Sequence, residues 1–184
     1  NGKSFMLTVG AQFPAFALKA VVATDPENAV ITLTERSNPE KWKIIFFWPK
    51  DFTVVCPTEI VGFAALNHEF EARGAVLYGA SIDSEAVHRA WREHHPDLTH
   101  LPFPMLSDIK RELSAALGIL DADEGVSMRA TYILDPDNRI RHVSVYDLNV
   151  GRNPAEVLRT LDALQTDEQC PCNWQRGDRT VSAS

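Results

Sequence analysis

The chain has 184 residues, 45% hydrophobic and 23% charged, a length and balance that suit one soluble globular domain with a sizeable core. A net charge of -7 with no Lys/Arg run longer than two excludes a basic nucleic-acid surface, and no apolar run nears the about 18 residues of a membrane span. The N-terminal residues lack the basic region and apolar core of a signal peptide, so a cytoplasmic location is expected. Asn1-Gly2-Lys3-Ser4 reads either as an added remnant or as native sequence.

Taken in chain order, residues 7–35 form an irregular β-rich entry: Leu7-Thr8-Val9-Gly10, Phe13-Pro14-Ala15-Phe16 and Ala29–Thr34 are short runs broken by turn residues. Residues 43–48 read as a strand covered on both faces, because Ile44-Ile45-Phe46-Phe47-Trp48 is continuously apolar. Lys50-Asp51 breaks that run. Ile60, Phe63, Leu66 and Phe70 then recur at helical spacing, which predicts one helix over 55–72. A second buried strand follows at 75–82, and Asp83 or Ser84 caps a helix running to about His95. Residues 101–108 are a Pro-rich connection, leading into a short helix at 109–117 stopped by Gly118. Strands at 129–134 and 140–146 flank Asp135-Pro136-Asp137-Asn138, a hairpin turn. Asn153-Pro154-Ala155-Glu156 starts the last helix, whose core face is Val157, Leu158, Leu161 and Leu164. The order implies an α/β domain over 1–165 with a mixed sheet, followed by a polar tail over 166–184.

Three cysteines, Cys56, Cys170 and Cys172, are too few and too unevenly placed for a secreted disulfide framework, so thiol chemistry is expected. No His lies near either Cys region, and His94, His95 and His100 lack a metal-binding spacing, so no metal site is expected. Pro57 fits only a first helical turn, which puts Cys56 beside a helix N-terminus, where free N–H groups favour a thiolate. The alternative is a small buried hydrophobe. Thr53 stands one turn earlier and can donate to a thiolate or accept from a hydroxyl-bearing substrate. Glu59, three residues on, opposes thiolate formation unless a cation offsets it, so the arrangement predicts an arginine nearby.

The segment Pro49-Lys50-Asp51-Phe52-Thr53-Val54-Val55-Cys56, with its PxxxTxxC spacing, resembles the peroxiredoxin active site. The likeness extends through Gly79–Ser84, His88–Trp91, Phe103–Asp108, Arg129–Pro136 and Val150–Asn153, and is that of the typical 2-Cys, bacterial alkyl hydroperoxide reductase type. It implies a thioredoxin-like fold and a thiol-dependent peroxidase acting on hydrogen peroxide and organic hydroperoxides, with its cysteines as the only redox groups and no cofactor. By position, Cys56 matches the peroxidatic cysteine, Thr53 and Arg129 the groups that orient the peroxide, and Pro49 the shield from water. Glu59 and Arg152 match a supporting ion pair that holds Arg129. Phe52 matches a residue packing around the active-site loop and dimer contacts.

Cys170, in Cys170-Pro171-Cys172-Asn173-Trp174, resembles the resolving cysteine, which implies a disulfide to Cys56 of a second subunit and so a homodimer. Such dimers assemble in the family into rings of five or six. Cys172 departs from many relatives and reads as a back-up resolver, as a thiol that helps pass the disulfide to a reductant, or as a spectator thiol. The chain lacks the Gly-Gly-Leu-Gly segment and the C-terminal Tyr-Phe of easily overoxidised relatives, so a robust enzyme with a readily opened tail is expected. The reductant is left open among an alkylhydroperoxidase D-like adaptor, thioredoxin and a flavoprotein reductase. A disulfide reductase is excluded because Thr53 stands where Cys-x-x-Cys needs its first cysteine. A holdase role can coexist with catalysis.

Overall fold

The computed structural model describes residues 5–181; Asn1 to Ser4, and the tail positions 182–184, lie outside the described residues. Nine strands and five helices are present among those residues: β1 (Ala17–Val21), β2 (Val30–Thr34), β3 (Trp42–Phe47), β4 (Ala75–Ser81), β5 (Met105–Ser107), β6 (Leu120–Asp121), β7 (Val126–Ser127), β8 (Arg129–Leu134) and β9 (Ile140–Tyr146), with α1 (Cys56–Ala65), α2 (Asn67–Ala72), α3 (Glu85–His94), α4 (Glu112–Leu117) and α5 (Pro154–Gln165). Seven strands make one sheet in the order β2-β1-β5-β4-β3-β8-β9, and β6-β7 form a separate ribbon. β3, β4 and β5 run parallel, while β8 and β9 join antiparallel on one side and β1 and β2 on the other.

The central position of β3 explains its unbroken apolar run. Ile44 and Phe46 point into one core with Phe63, Phe70, Trp91 and Leu161. Ile45 and Phe47 point into a second, with Phe13, Tyr132 and Leu113. Alternate side chains therefore serve opposite faces, and both faces are covered. Gly79 is required by the same packing, since a Cβ there would meet the Trp48 ring at 2.5 Å.

Four local expectations are corrected. The helix expected over 55–72 is two helices, because Leu66 N–H bonds back three residues to the Phe63 carbonyl (3.1 Å) and ends α1. The 101–108 connection contains β5, whose three buried residues add to β4 in parallel; its prolines hide a strand this short. The next helix begins at Glu112, not 109. Arg111 sits in the left-handed region (φ 61°), and the buried Asp108 carboxylate accepts from the N–H groups of Leu113 (3.1 Å) and Ser114 (2.8 Å), capping α4 from outside the helix. In the entry, Leu7–Gly10 is not a strand, and the first pair is β1–β2.

The tail is not extended. After α5 it folds back on itself, pairing Gln169 with Val181 and burying Trp174.

Candidate active site

The site is assembled where β3 ends. Trp48 extends the strand by one bond to the Ala80 carbonyl, and its own carbonyl accepts from Ser127 Oγ. Buried Pro49 then turns the chain into a loop that returns as α1. The loop is tied at Asp51: its N–H donates to Asp83 (2.8 Å), and its carboxylate accepts from Trp48 Nε1 (2.8 Å). With that anchor, Phe52 adopts a left-handed φ of 57°, a conformation costing an L-residue about 1–2 kcal/mol. Its ring lies near Trp91 but is mostly exposed. Thr53 Oγ1 donates back to the Lys50 carbonyl at 3.2 Å, which leaves the hydroxyl lone pairs to accept.

Cys56 is the first residue of α1, fully buried, with Pro57 behind it. The arginine that the sequence calls for is Arg129, at the start of β8. Its Nη1 lies 3.3 Å from Cys56 Sγ and 2.5 Å from Glu59 Oε1, and its Nε donates to the Leu148 carbonyl (2.7 Å). Glu59, one helical turn past Cys56, is held from the other side by Arg152. Arg152 N, Nε and Nη2 donate to the carboxylate at 2.9, 2.5 and 3.1 Å, and its Nη1 reaches the Ala130 carbonyl (2.8 Å). The Arg152 guanidinium also lies over the rings of Phe46 and Phe63. Burial holds its pKa below the ordinary arginine value, against the opposing pull of Glu59. Two cations and one carboxylate meet at the thiol, so the cluster keeps a net positive charge there before the thiol ionises.

The structure thus brings Cys56, Glu59, Arg129 and Arg152 into direct contact, with Pro49 and Thr53 on the loop that closes the site. It does not bring Cys170 to Cys56. All three cysteines are free thiols; Cys170 is half-buried against Ala163 and Thr166 of its own segment, and Cys172 is exposed.

Sequence reading missed the polar network that steadies the loop. His88 is wholly buried, with Nδ1 2.6 Å from Asp51 Oδ2 and Nε2 2.9 Å from the Leu106 carbonyl. Both neighbours only accept, so both nitrogens donate and the ring is an imidazolium. Burial alone would lower its pKa; the hydrogen bond and charge of Asp51, aided by the Leu106 carbonyl, outweigh that and raise it above the usual histidine value. Asp83 sits beside the pair, its carboxyl raised by burial and by the Asp51 charge. Asp51, Asp83 and His88 are close enough to suggest a metal cluster, but with both nitrogens donating, His88 has no lone pair to offer. The available signals were Asp51 breaking an apolar run and His88 three residues before Trp91. Neither marks a contact between residues 37 apart.

Because the folded-state pKa of His88 is raised, its contribution to stability is fully present below the unfolded value of about 6.5 and is lost as pH rises through the folded value. Urea midpoints measured across pH 6 to 9 are therefore expected to fall with rising pH in the wild type. His88→Asn should remove that part of the fall; an unchanged slope in the variant would refute the assignment.

A buried thiol at a helix start, pressed by an arginine that a second ion pair holds in place, defines a thiol peroxidase of the peroxiredoxin class. The chain belongs to the AhpC/TSA family, whose model matches residues 9–143. It is 55% identical to the alkyl hydroperoxide reductase C of Mycobacterium tuberculosis, over 97% of this chain and 95% of that one. It is 38% identical to the putative peroxiredoxin YkuU of Bacillus subtilis, over 94% and 97%. Among solved structures it is similar to Mycobacterium tuberculosis AhpC (TM-score 0.85, 55% identity, 93% of this chain and 100% of that one). It is also similar to the reduced 2-Cys peroxiredoxin of Plasmodium vivax (TM-score 0.87, 31% identity, 94% and 92%). The thioredoxin-like fold and the thiol-dependent peroxidase activity expected from the sequence are both borne out. Among the described residues, no helix is long and apolar enough to cross a membrane.

Proposed function

We propose that the Cys56 thiolate attacks one oxygen of hydrogen peroxide or an organic hydroperoxide. The S–O bond forms as the O–O bond breaks; sulfur is oxidised to a sulfenic acid and the departing oxygen takes a proton to leave as water or alcohol. The observation that carries this reading is the 3.3 Å contact from Arg129 Nη1 to Cys56 Sγ inside a water-excluding site. A fixed guanidinium there favours the thiolate and stabilises the negative charge that builds on the peroxide oxygens. Thr53, whose Oγ1–H donates to the Lys50 carbonyl, accepts from the peroxide O–H. Pro49 keeps water from the sulfur, and Glu59 with Arg152 sets the direction of the Arg129 fork.

The sulfenic acid is then resolved by Cys170 of a second copy: its thiol displaces the sulfenic oxygen as water, and a Cys56–Cys170 disulfide forms. The second copy docks along β9, which ends the sheet order among the described residues and carries half-buried side chains, features that support such a contact. Dimers of this kind build a ring of five or six. The exposed Cys172, two residues from Cys170, is suited to pass the disulfide to a reductant, either a Cys-x-x-Cys adaptor of the alkylhydroperoxidase D kind, thioredoxin or a flavoprotein reductase. Cysteines are the only redox groups required, no cofactor takes part, and the setting is the cytoplasm.

One equivalent of peroxide added to reduced protein is expected to give a disulfide-linked dimer on non-reducing electrophoresis. Dimedone should trap the intermediate at Cys56 when Cys170 is replaced by Ser. Cys56→Ser and the double variant Cys170→Ser/Cys172→Ser should both run as monomers on that gel; a linked dimer in either would overturn the assignment.

A further inference from the structure

The reduced tail is a closed clasp. Thr166 turns it off α5 by donating to the Ala163 carbonyl (2.7 Å) and accepting from Glu168 N (3.1 Å). The neck is then shut: Val181 N donates to the Gln169 carbonyl at 2.8 Å, and Thr180 Oγ1 bonds the Glu168 carboxylate. Inside the loop Trp174 is only 4% exposed, its indole N–H donating to the Asp178 carbonyl (3.1 Å), while Gln175 N donates to Asp178 Oδ2 (2.8 Å). Cys170 lies at the neck, half-buried, with Sγ 3.4 Å from Thr166 Oγ1.

One side chain fastens this loop to the body by a charged hydrogen bond. Arg159, on α5, donates Nε and Nη2 to the two Glu156 oxygens, each at 2.7 Å, and Nη1 to the Trp174 carbonyl at 2.8 Å. Glu156 sits in the first turn of α5, one helical turn before Arg159, so it aims the fork at the tail. The hydrogen bond to Glu156, together with the Glu156 charge, holds the Arg159 pKa above its usual value.

We propose that Arg159 is a positioning residue for the resolving step, a latch whose bond to the Trp174 carbonyl, together with the Glu168–Thr180 neck, sets how fast Cys170 leaves α5 to meet a sulfenic acid. The proposal rests on the reading of Cys170 as the resolving thiol. While the clasp is shut, the sulfenic acid waits and a second peroxide can take Cys56 on to sulfinic acid. The strength of the latch therefore governs the balance between turnover and overoxidation. Opening its neck is the kind of local unfolding that one or two hydrogen bonds control.

The test uses the reduced full chain. Alkylation of each cysteine by iodoacetamide is followed by mass spectrometry without peroxide, and disulfide formation is timed after one equivalent of peroxide. Arg159→Ala, and separately the milder surface change Thr180→Val, should each speed Cys170 alkylation and disulfide formation about fivefold, the factor for one lost hydrogen bond, with Cys56 alkylation unchanged. Arg159→Lys keeps the charge but not the fork, so it should fall between. The fraction of Cys56 reaching sulfinic acid per turnover should drop in the same order. Wild-type rates at Cys170 in both Arg159→Ala and Thr180→Val would overturn the latch. Faster Cys170 alkylation with no Cys56–Cys170 disulfide in the peroxide-treated wild type would leave the latch standing and overturn the resolving role alone.

Discussion

Arg129→Met is expected to lower kcat/KM for peroxide about 10²- to 10³-fold, the loss of about 3–4 kcal/mol that follows removal of one fixed donor at a developing charge. Methionine is chosen because it fills much of the same space without charge, so the buried site keeps its packing. Among the described residues Arg129 is the cation that donates to Cys56 Sγ, and the same guanidinium is braced by Glu59 and the Leu148 carbonyl. Those braces mean the charge needs no reorganisation as the O–O bond breaks. Arg129→Lys restores charge but has no planar fork to touch Sγ, Glu59 and Leu148 together, so it should recover only part of the rate. Stopped-flow peroxide consumption checks the series. A methionine variant within threefold of wild type would remove Arg129 from the mechanism.

Glu59→Gln is expected to cost stability first and activity second. Glu59 is 2% exposed and answers two guanidiniums at once. Glutamine keeps the shape but leaves Arg129 and Arg152 buried together with no carboxylate between them, and breaking a buried ionic group in this way costs about 3–5 kcal/mol. The urea midpoint should drop by about 1–2 M. Arg152→Met should cost less, since Glu59 then keeps Arg129. Equilibrium urea unfolding of the two variants separates these cases. A Glu59→Gln midpoint within experimental scatter of wild type would mean that the cluster is not the anchor described. Activity should fall as well, because Arg129 loses the brace that points it at the sulfur.

Much of this site was legible because its signals are local. Pro57 places Cys56 at a helix start, and Glu59 on the same face demands a cation. Those two facts call for an arginine without saying which. Arg129 and Arg152 carry no periodic signal, and only the family resemblance singled them out. The cluster of buried Asp51 and His88 with half-buried Asp83 was not legible as a contact, although each residue stands in a segment quoted for another reason. Each member is an ordinary surface residue type, and their mutual hydrogen bonds are what give the three their role. The strand β5 inside a Pro-rich stretch escaped for a related reason, because its backbone bonds are made to β4 and β1, far along the chain. The split of the 55–72 helix at Leu66 is instead a local turn that apolar spacing does not mark.

The sequence by itself determined the α/β class, the doubly buried central strand, the cysteine at a helix N-terminus and the need for a nearby arginine. Patterning and Pro or Gly placement act over a few residues, so one dimension is enough to read them. The tertiary structure decided which arginine faces the sulfur, how Glu59 is shared between two cations, and that the polar tail is a latched clasp. Each of these depends on hydrogen bonds between residues 15 to 93 positions apart. Such bonds exist only after the sheet has set its strand order and burial has excluded the water that would otherwise satisfy the same groups.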